Sequence, residues 1–204
     1  MKENTSAHSE KIAIISDIHN NEVNLKKVLD FCAREKIKEI ICCGDLATRE
    51  TLDFFCDNFI GEIFYVFGNM DHGQFSDFEF TSNDTLHGTE YKNAHVFKNY
   101  GEINLDNNPE KSVADHGARK IAFIHFPREA KELAETGKYD FVFYGHTHKP
   151  WEEMIELPAS AKASTRRCKM LNPGNATGDF YPPTFAVWNT VSDKFELIRI
   201  HDLK

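Results

Sequence analysis

Between Lys11 and Cys43 two short apolar runs flank a segment of helical periodicity, and this arrangement constrains the fold more tightly than any other stretch. Lys11 to Ser16 (KIAIIS) is β-branched and stops at a polar turn, as a buried strand does. Asn20 or Asn21 is placed to cap a following helix. Leu25, Val28, Leu29 and Cys32 then recur at i, i+3, i+4 and i+7, the spacing of one helix face. Ile37 to Cys43 is the next apolar run, broken by Gly44. Strand, helix, strand in that order implies a parallel pair joined by a right-handed crossover.

The rest of the chain extends this pattern. Thr51 to Phe59 reads as a second helix and Ile63 to Phe67 as a third buried strand, ending at Gly68. From Gln74 to Asn99 the signal is weak. Glu102 to Leu105 reads as a short strand, and Asp106 to Gly117, rich in Asn, Asp and Pro, as a loop. Lys120 to Ile124 is a strand, Arg128 to Thr136 a helix closed by Gly137, and Tyr139 to Tyr144 a strand ending at Gly145. Trp151 to Leu157, Cys168 to Leu171, Thr184 to Thr190 and Lys194 to Ile200 read as a closing antiparallel sheet, with Pro158 to Thr165 a loop inside it. The expectation is one α/β domain over residues 1–204, with two sheets facing each other, helices outside and a disordered lead-in from Met1 to Glu10.

Each core strand runs into a polar residue able to bind a cation. The first meets Asp17-Ile18-His19, the second Gly44-Asp45 and the third Gly68-Asn69-Met70-Asp71. A later strand meets His125, and the next meets Gly145-His146-Thr147-His148. Ligands of open α/β sheets bind outside the carboxyl ends of the strands, so five distant segments converge on one rim. Asp, His and Asn offer oxygen and imidazole donors that suit Mn, Zn, Fe or Ni, and no thiolate of a structural zinc site accompanies them. Glycine before Asp45, Asn69 and His146 would supply a sharp turn. Asp45 is the candidate to bridge two ions roughly 3.5–4 Å apart. Each piece alone is weak, since G-N-x-D is commonly an ordinary turn and an isolated strand-end His is commonly structural. Their order and shared placement carry the inference.

Composition narrows the classes. A hydrophobic fraction of 41%, with 17 Phe, suffices for a large interior. No run of eighteen apolar residues suggests a membrane span, and no secretory leader is visible. A net charge of −8 disfavours nucleic acid as a partner, because Arg166-Arg167 with Lys169 is too small a basic group to offset it. A small phosphorylated substrate remains compatible, since bound cations reverse the local field. Five cysteines without a C-x-x-C pair read as reduced core residues, which points to the cytoplasm.

Taken together, Asp17/His19, Gly44/Asp45, Gly68/Asn69/Asp71, His125 and Gly145/His146/His148 resemble the pattern of calcineurin-like metallophosphoesterases. The closer similarity is to the small bacterial and archaeal phosphodiesterase branch, which also contains the retromer subunit of this fold. It spans about Ile12 to Arg199, and Asn172-Pro173-Gly174-Asn175 resembles the N-P-G-S turn of that branch. The resemblance implies a four-layer αββα sandwich of two facing mixed β-sheets flanked by helices. It implies one metal on Asp17, His19, Asp45 and His148, and a second on Asp45, Asn69, His125 and His146. The cofactors would be two divalent transition-metal ions, Mn first, with Ni, Zn, Fe or Mg as alternatives. The reaction would be in-line attack of a metal-bridging hydroxide on a phosphate ester, with diester preference resting on the branch.

Departures from the pattern are informative. Many relatives carry His after G-N, where it protonates the leaving group, but position 70 is Met, which cannot donate. His72 is one candidate replacement, and Asp71 could orient a water that does so. Asn69, Asp71, His72 and His146 are thus the candidate catalytic residues. Phe126 replaces a usual Gly and would narrow the pocket or stack on a substrate. Asn20 and Asn175 replace Gly and Ser, with little weight attached. His8, His87, His95, His116 and His201 read as loop or tail residues, and Trp151 and Phe180-Tyr181 as packing rather than a base-stacking platform. A non-catalytic binding scaffold of the same fold is the rival reading, and a metal-dependent nuclease a weaker one. Nothing in the sequence sets the oligomeric state, so a homo-oligomer stays open.

Overall fold

The structure, a computed structural model, describes residues 10–76, 78–79, 88–105, 119–157 and 167–204. The expected lead-in at residues 1–9, the loops expected at 106–117 and 158–165, and His8, His87, His116 and Arg166 lie outside the described residues.

The opening unit forms as its periodicity requires. Strand β1 (Lys11–Ile15) is followed by helix α1 (Glu22–Glu35) and strand β2 (Glu39–Cys42), with β1 and β2 parallel. Of the two candidate caps it is Asn21 whose side chain accepts the Asn24 N–H, at 3.0 Å. Helix α2 (Arg49–Asn58), capped by Thr48, leads to β3 (Glu62–Val66), parallel to β2. Within the weakly patterned segment the described residues include β4 (Thr89–Tyr91) and β5 (Ala94–Phe97). These short strands lacked a signal because polar and apolar residues are mixed in a stretch too brief to show alternation.

The second half supplies β6 (Tyr100–Leu105), β7 (Arg119–Ile124), α3 (Pro127–Glu135), β8 (Phe141–Phe143), β9 (Trp151–Glu156), β10 (Arg167–Asn172), β11 (Thr184–Asn189) and β12 (Lys194–Arg199). Pro127 occupies the first turn of α3, where its missing N–H costs nothing. The expectation that the last four strands make one antiparallel sheet is corrected. A seven-stranded sheet runs β12-β11-β1-β2-β3-β5-β4, and a five-stranded sheet runs β6-β7-β8-β10-β9. Strand β10 lies parallel to β8, whereas β11 lies antiparallel to β1. Pairing partners far apart in sequence decide this division, and local pattern does not record them.

Alternation along the strands builds the layers. Ile12, Ile14 and Ile41 point between the sheets with Ile121, Phe123, Phe143 and Trp188. Ala13, Ile15 and Ile40 face the opposite way, against Leu25, Val28 and Leu52 of α1 and α2. Ala122 and Val142 meet Ala130 and Ala134 of α3 on the far side. The outcome is the expected αββα sandwich of two mixed sheets. Its centre is aromatic: Trp188 is fully buried, stacked on Phe195 at 5.6 Å and tilted against Phe141 at 4.7 Å.

Candidate metal centre

The carboxyl ends of β1, β2, β3, β7 and β8 open on the same rim of the sandwich. The loop after β1 is bonded to the loop after β2, with the Asp17 N–H donating to Gly44 O at 3.0 Å and the Ile18 N–H to Asp45 O at 2.9 Å. The loop after β8 joins them through the His146 N–H, which donates to Asp17 Oδ2 at 3.1 Å.

The seven expected ligands meet there. His148 Nε2 stands 3.4 Å and His19 Nε2 3.9 Å from Asp17 Oδ1. Asp45 Oδ2 lies 3.3 Å from His19 Nε2 and also 3.3 Å from His125 Nε2, between two donor groups. Asn69 Oδ1 is 3.1 Å from His125 Nε2 and 2.9 Å from His146 Nδ1. Donor atoms of Asp17, His19 and His148 fall within 4.8 Å of one another, as do those of Asp17, Asp45 and His125.

The imidazoles are aimed from behind. His125 Nδ1 donates to the Cys43 carbonyl at 2.8 Å, which leaves its Nε2 lone pair facing the cluster. The Asp179 carbonyl holds His148 Nδ1 in the same way at 3.3 Å. Two buried polar atoms, Asp17 Oδ1 and His19 Nε2, have no hydrogen-bond partner. Buried polar groups are rarely left so, and a cation would satisfy both. With oxygen and imidazole donors and no thiolate, the set fits a hard or borderline divalent ion.

The cluster is electrostatically coupled. Burial opposes charge on Asp45, yet the His125 and His19 imidazoles and the Met70 N–H hold its carboxyl well below the usual carboxylate range. Burial likewise opposes charge on His125, and the Asp45 and Asp17 carboxylates raise its pKa in spite of it. His148 is raised by Asp17.

Backbone conformation is the feature that sequence reasoning missed. Five of the seven candidate ligands, Asp17, His19, Asp45, His146 and His148, have positive φ between 47° and 68°. Asp, Asn and His tolerate this region better than other non-glycine residues, at a cost of order 1 kcal/mol each. The glycine reading needs correction accordingly. Gly44 does take φ +103°, but Gly68 and Gly145 have ordinary φ and are small for another reason. A Cβ on Gly68 would meet Asp45 Oδ1 at 2.2 Å, and one on Gly145 would meet Ser16 Oγ at 1.9 Å.

Further expectations are revised. Asp71 does not reach the cleft: it is fully buried, and its carboxylate accepts the N–H groups of Asp45, Ala47 and Gly68 at 2.8, 2.8 and 2.7 Å. It therefore positions two ligand loops and is not placed to orient a water. Asn20 and Asn175 carry more than was granted them. Asn20 Oδ1 accepts from the Thr48 and Thr51 hydroxyls at 2.9 and 2.7 Å, tying the first ligand loop to α2. Asn175, fully buried, donates to the His148 carbonyl at 3.0 Å, and Asn172 donates to Gly145 O at 2.8 Å. The Asn-Pro-Gly-Asn turn thus braces the His146–His148 loop. Phe126 sets its ring edgewise 4.9 Å from His125 and 5.2 Å from His146. Met70, His72 and His146 are exposed. His95 sits away from the ligand loops on β5, stacked on Phe64 at 5.1 Å. Trp151, Phe180 and Tyr181, expected to be core or loop packing, are 52%, 91% and 40% exposed and so are not core residues.

This combination of an αββα sandwich and a strand-end cluster of Asp, Asn and His defines the calcineurin-like phosphoesterases, and the model of that superfamily domain matches residues 11–193. The chain belongs to this superfamily. Among individual proteins it is similar to the phosphodiesterase MJ0936 of Methanocaldococcus jannaschii, 24% identical over 190 residues that cover 92% of this chain and 98% of the relative. A solved archaeal phosphodiesterase superposes with a TM-score of 0.65 at 21% identity, covering 93% of this chain and 99% of the other. The phosphoesterase YfcE of E. coli superposes at 0.59 with 16% identity, each chain 95% covered. No helix among the described residues is long and apolar enough to cross a membrane.

Proposed function

We propose that this protein hydrolyses phosphate esters, preferring diesters, with two divalent cations held by its seven strand-end ligands. The observation behind this reading is Asp45 Oδ2, equidistant at 3.3 Å from an imidazole of each donor group. Asp17, His19, Asp45 and His148 form one site, and Asp45, Asn69, His125 and His146 the other. Manganese is the first candidate ion, with Ni, Zn, Fe and Mg as alternatives for the same donors. Such ions, when bound, supply positive charge that lowers the pKa of water and offsets the charge growing on the phosphoryl oxygens.

The chain's own groups do the rest. Cys43 O and Asp179 O keep His125 and His148 in the tautomers that leave Nε2 free. Asn69 and His146, on the exposed side of the cluster, face an incoming ester. His72, exposed beside Met70, is the proposed proton donor to the leaving group. The whole chain is read as one domain. The substrate is a small phosphorylated molecule, since a net charge of −8 disfavours a nucleic-acid partner. Five unpaired buried thiols support a cytoplasmic setting.

Metal analysis followed by assays on bis(p-nitrophenyl) phosphate and p-nitrophenyl phosphate with Mn, Ni, Zn and Mg tests this. Two equivalents of cation and faster diester hydrolysis are expected, both lost in Asp45→Asn. Two bound equivalents without turnover would replace the enzyme by the scaffold. An unchanged pH–rate profile in His72→Ala would remove His72 from the chemistry.

A further inference from the structure

Beside the metal-ligand cluster lies an open cavity of about 370 Å³, lined by Tyr144, Thr147, Lys149, Trp151 and Tyr181. It is a shallow hollow, open to solvent over most of its extent. Thr147 lies between the ligands His146 and His148, so the cavity and the cluster share one loop.

Phe180 extends the same surface. Its ring centroid is 5.7 Å from that of His148, while its own side chain is 91% exposed. It is also held at φ +65°, a conformation in which a bulky non-glycine residue is an outlier. The loop enforces this: Gly178 and Tyr181 are bonded to the Asn175 side chain, and Thr177 is bonded to Asp179. The same loop gives its Asp179 carbonyl to His148. One rigid turn therefore aims a proposed metal ligand and presents two aromatic rings to solvent. Within the cavity lining the Lys149 ammonium stands 5.5 Å from the Trp151 ring. An exposed Phe, Tyr and Trp with a lysine at their rim bury no core surface and stabilise little by themselves. They are suited to a planar ring with a polar or anionic substituent.

We infer that Phe180, Tyr181, Trp151 and Lys149 form a subsite for an aromatic or heteroaromatic arm of the ester, beside the position where its phosphoryl group is held. The substrate class narrows to aryl or nucleoside-like phosphoesters, with Lys149 favouring an arm that carries further negative charge. This inference rests on the phosphoesterase reading above, because His148 links the two regions.

Binding of non-hydrolysable probes separates the two ideas. Phenylphosphonate, methylphosphonate and 4-carboxyphenylphosphonate are titrated into the Mn-loaded protein by calorimetry, with quenching of Trp151 fluorescence as a second readout. Trp188 is fully buried and serves as the internal reference. The phenyl compound is expected to bind about tenfold more tightly than the methyl compound, the strength of one stacked ring. That margin should collapse in Phe180→Ala and in Trp151→Ala, and the further gain from the carboxylate should vanish in Lys149→Gln. Equal binding of phenyl and methyl compounds, or a phenyl preference that survives both aromatic substitutions, overturns the subsite and leaves the phosphoesterase reading standing. Absence of binding by all three phosphonates, together with absence of ester hydrolysis, overturns that reading and the subsite with it.

Discussion

The carboxylate of Asp71 accepts the backbone N–H of Asp45 at 2.8 Å, so one buried acid fixes the conformation of the proposed bridging ligand. The same oxygen takes Gly68 N–H and the other takes Ala47 N–H. Burial raises the pKa of Asp71, against the lowering effect of the Gly68 and Ala47 N–H groups. Asp71→Asn keeps one acceptor oxygen and turns an NH2 toward a backbone donor. A loss of about 2–3 kcal/mol is expected from one unsatisfied buried group, measured by urea denaturation. Asp71→Ala should cost more. Unchanged stability in both variants would deny the clamp.

Asp17 Oδ1 and His19 Nε2 are buried without hydrogen-bond partners, so cation binding should stabilise the native state. At a hundredfold excess over Kd, each bound Mn is expected to add about 2.7 kcal/mol, seen as a rise of roughly 5–10 °C in Tm per site. A chelator should reverse it, and Asp17→Asn should remove the share of the one site that Asp17 lines. A Tm indifferent to Mn, Zn and Ni alike in the unsubstituted protein would argue against a cation site.

Gly44 has φ +103°, and a Cβ there would fall 2.5 Å from His125 Nδ1. Gly44→Ala should therefore cost about 3 kcal/mol, through backbone strain and displacement of the imbedded imidazole together. Thermal denaturation reads the first effect and loss of one metal equivalent the second.

The cysteines offer a pH-dependent test away from any activity. Burial pushes Cys32 and Cys168 up to about 12 and Cys56 up to about 11, and raises Cys42 and Cys43 well above the usual thiol range. A thiol that ionises near 9.0 when unfolded and higher when folded binds its proton more tightly in the native state. Stability is thus intact below about pH 9 and falls as pH rises from there toward the folded values. Iodoacetamide at pH 8 should label the native chain hardly at all and the urea-unfolded chain at every Cys, counted by mass spectrometry.

Much of this was readable in advance because the signals were local. The βαβ opening shows in Leu25, Val28, Leu29 and Cys32, four positions whose spacing has one geometric solution, and all four are buried. The candidate ligands were legible because they follow the ends of apolar runs. What escaped was non-local or conformational. Strands β4 and β5 are too short for a pattern, and the division of the last four strands between two sheets depends on partners as distant as β1 and β8. Asp71 was misread as a cleft residue because a G-N-x-D turn does not reveal which way its last side chain points. Asn175 was passed over because its value lies in the His148 carbonyl it reaches across 27 residues.

From the chain of letters alone follow the residue types at the site, their order and their place at strand ends. Period and propensity act over a few residues and leave their mark there. Only the tertiary structure decided that five candidate ligands adopt left-handed backbone, that Asp71 faces inward and that Phe180 faces out. Those outcomes depend on which loops are packed side by side, and loop contacts are set by the pairing of the strands beneath them, not by the sequence of any one loop.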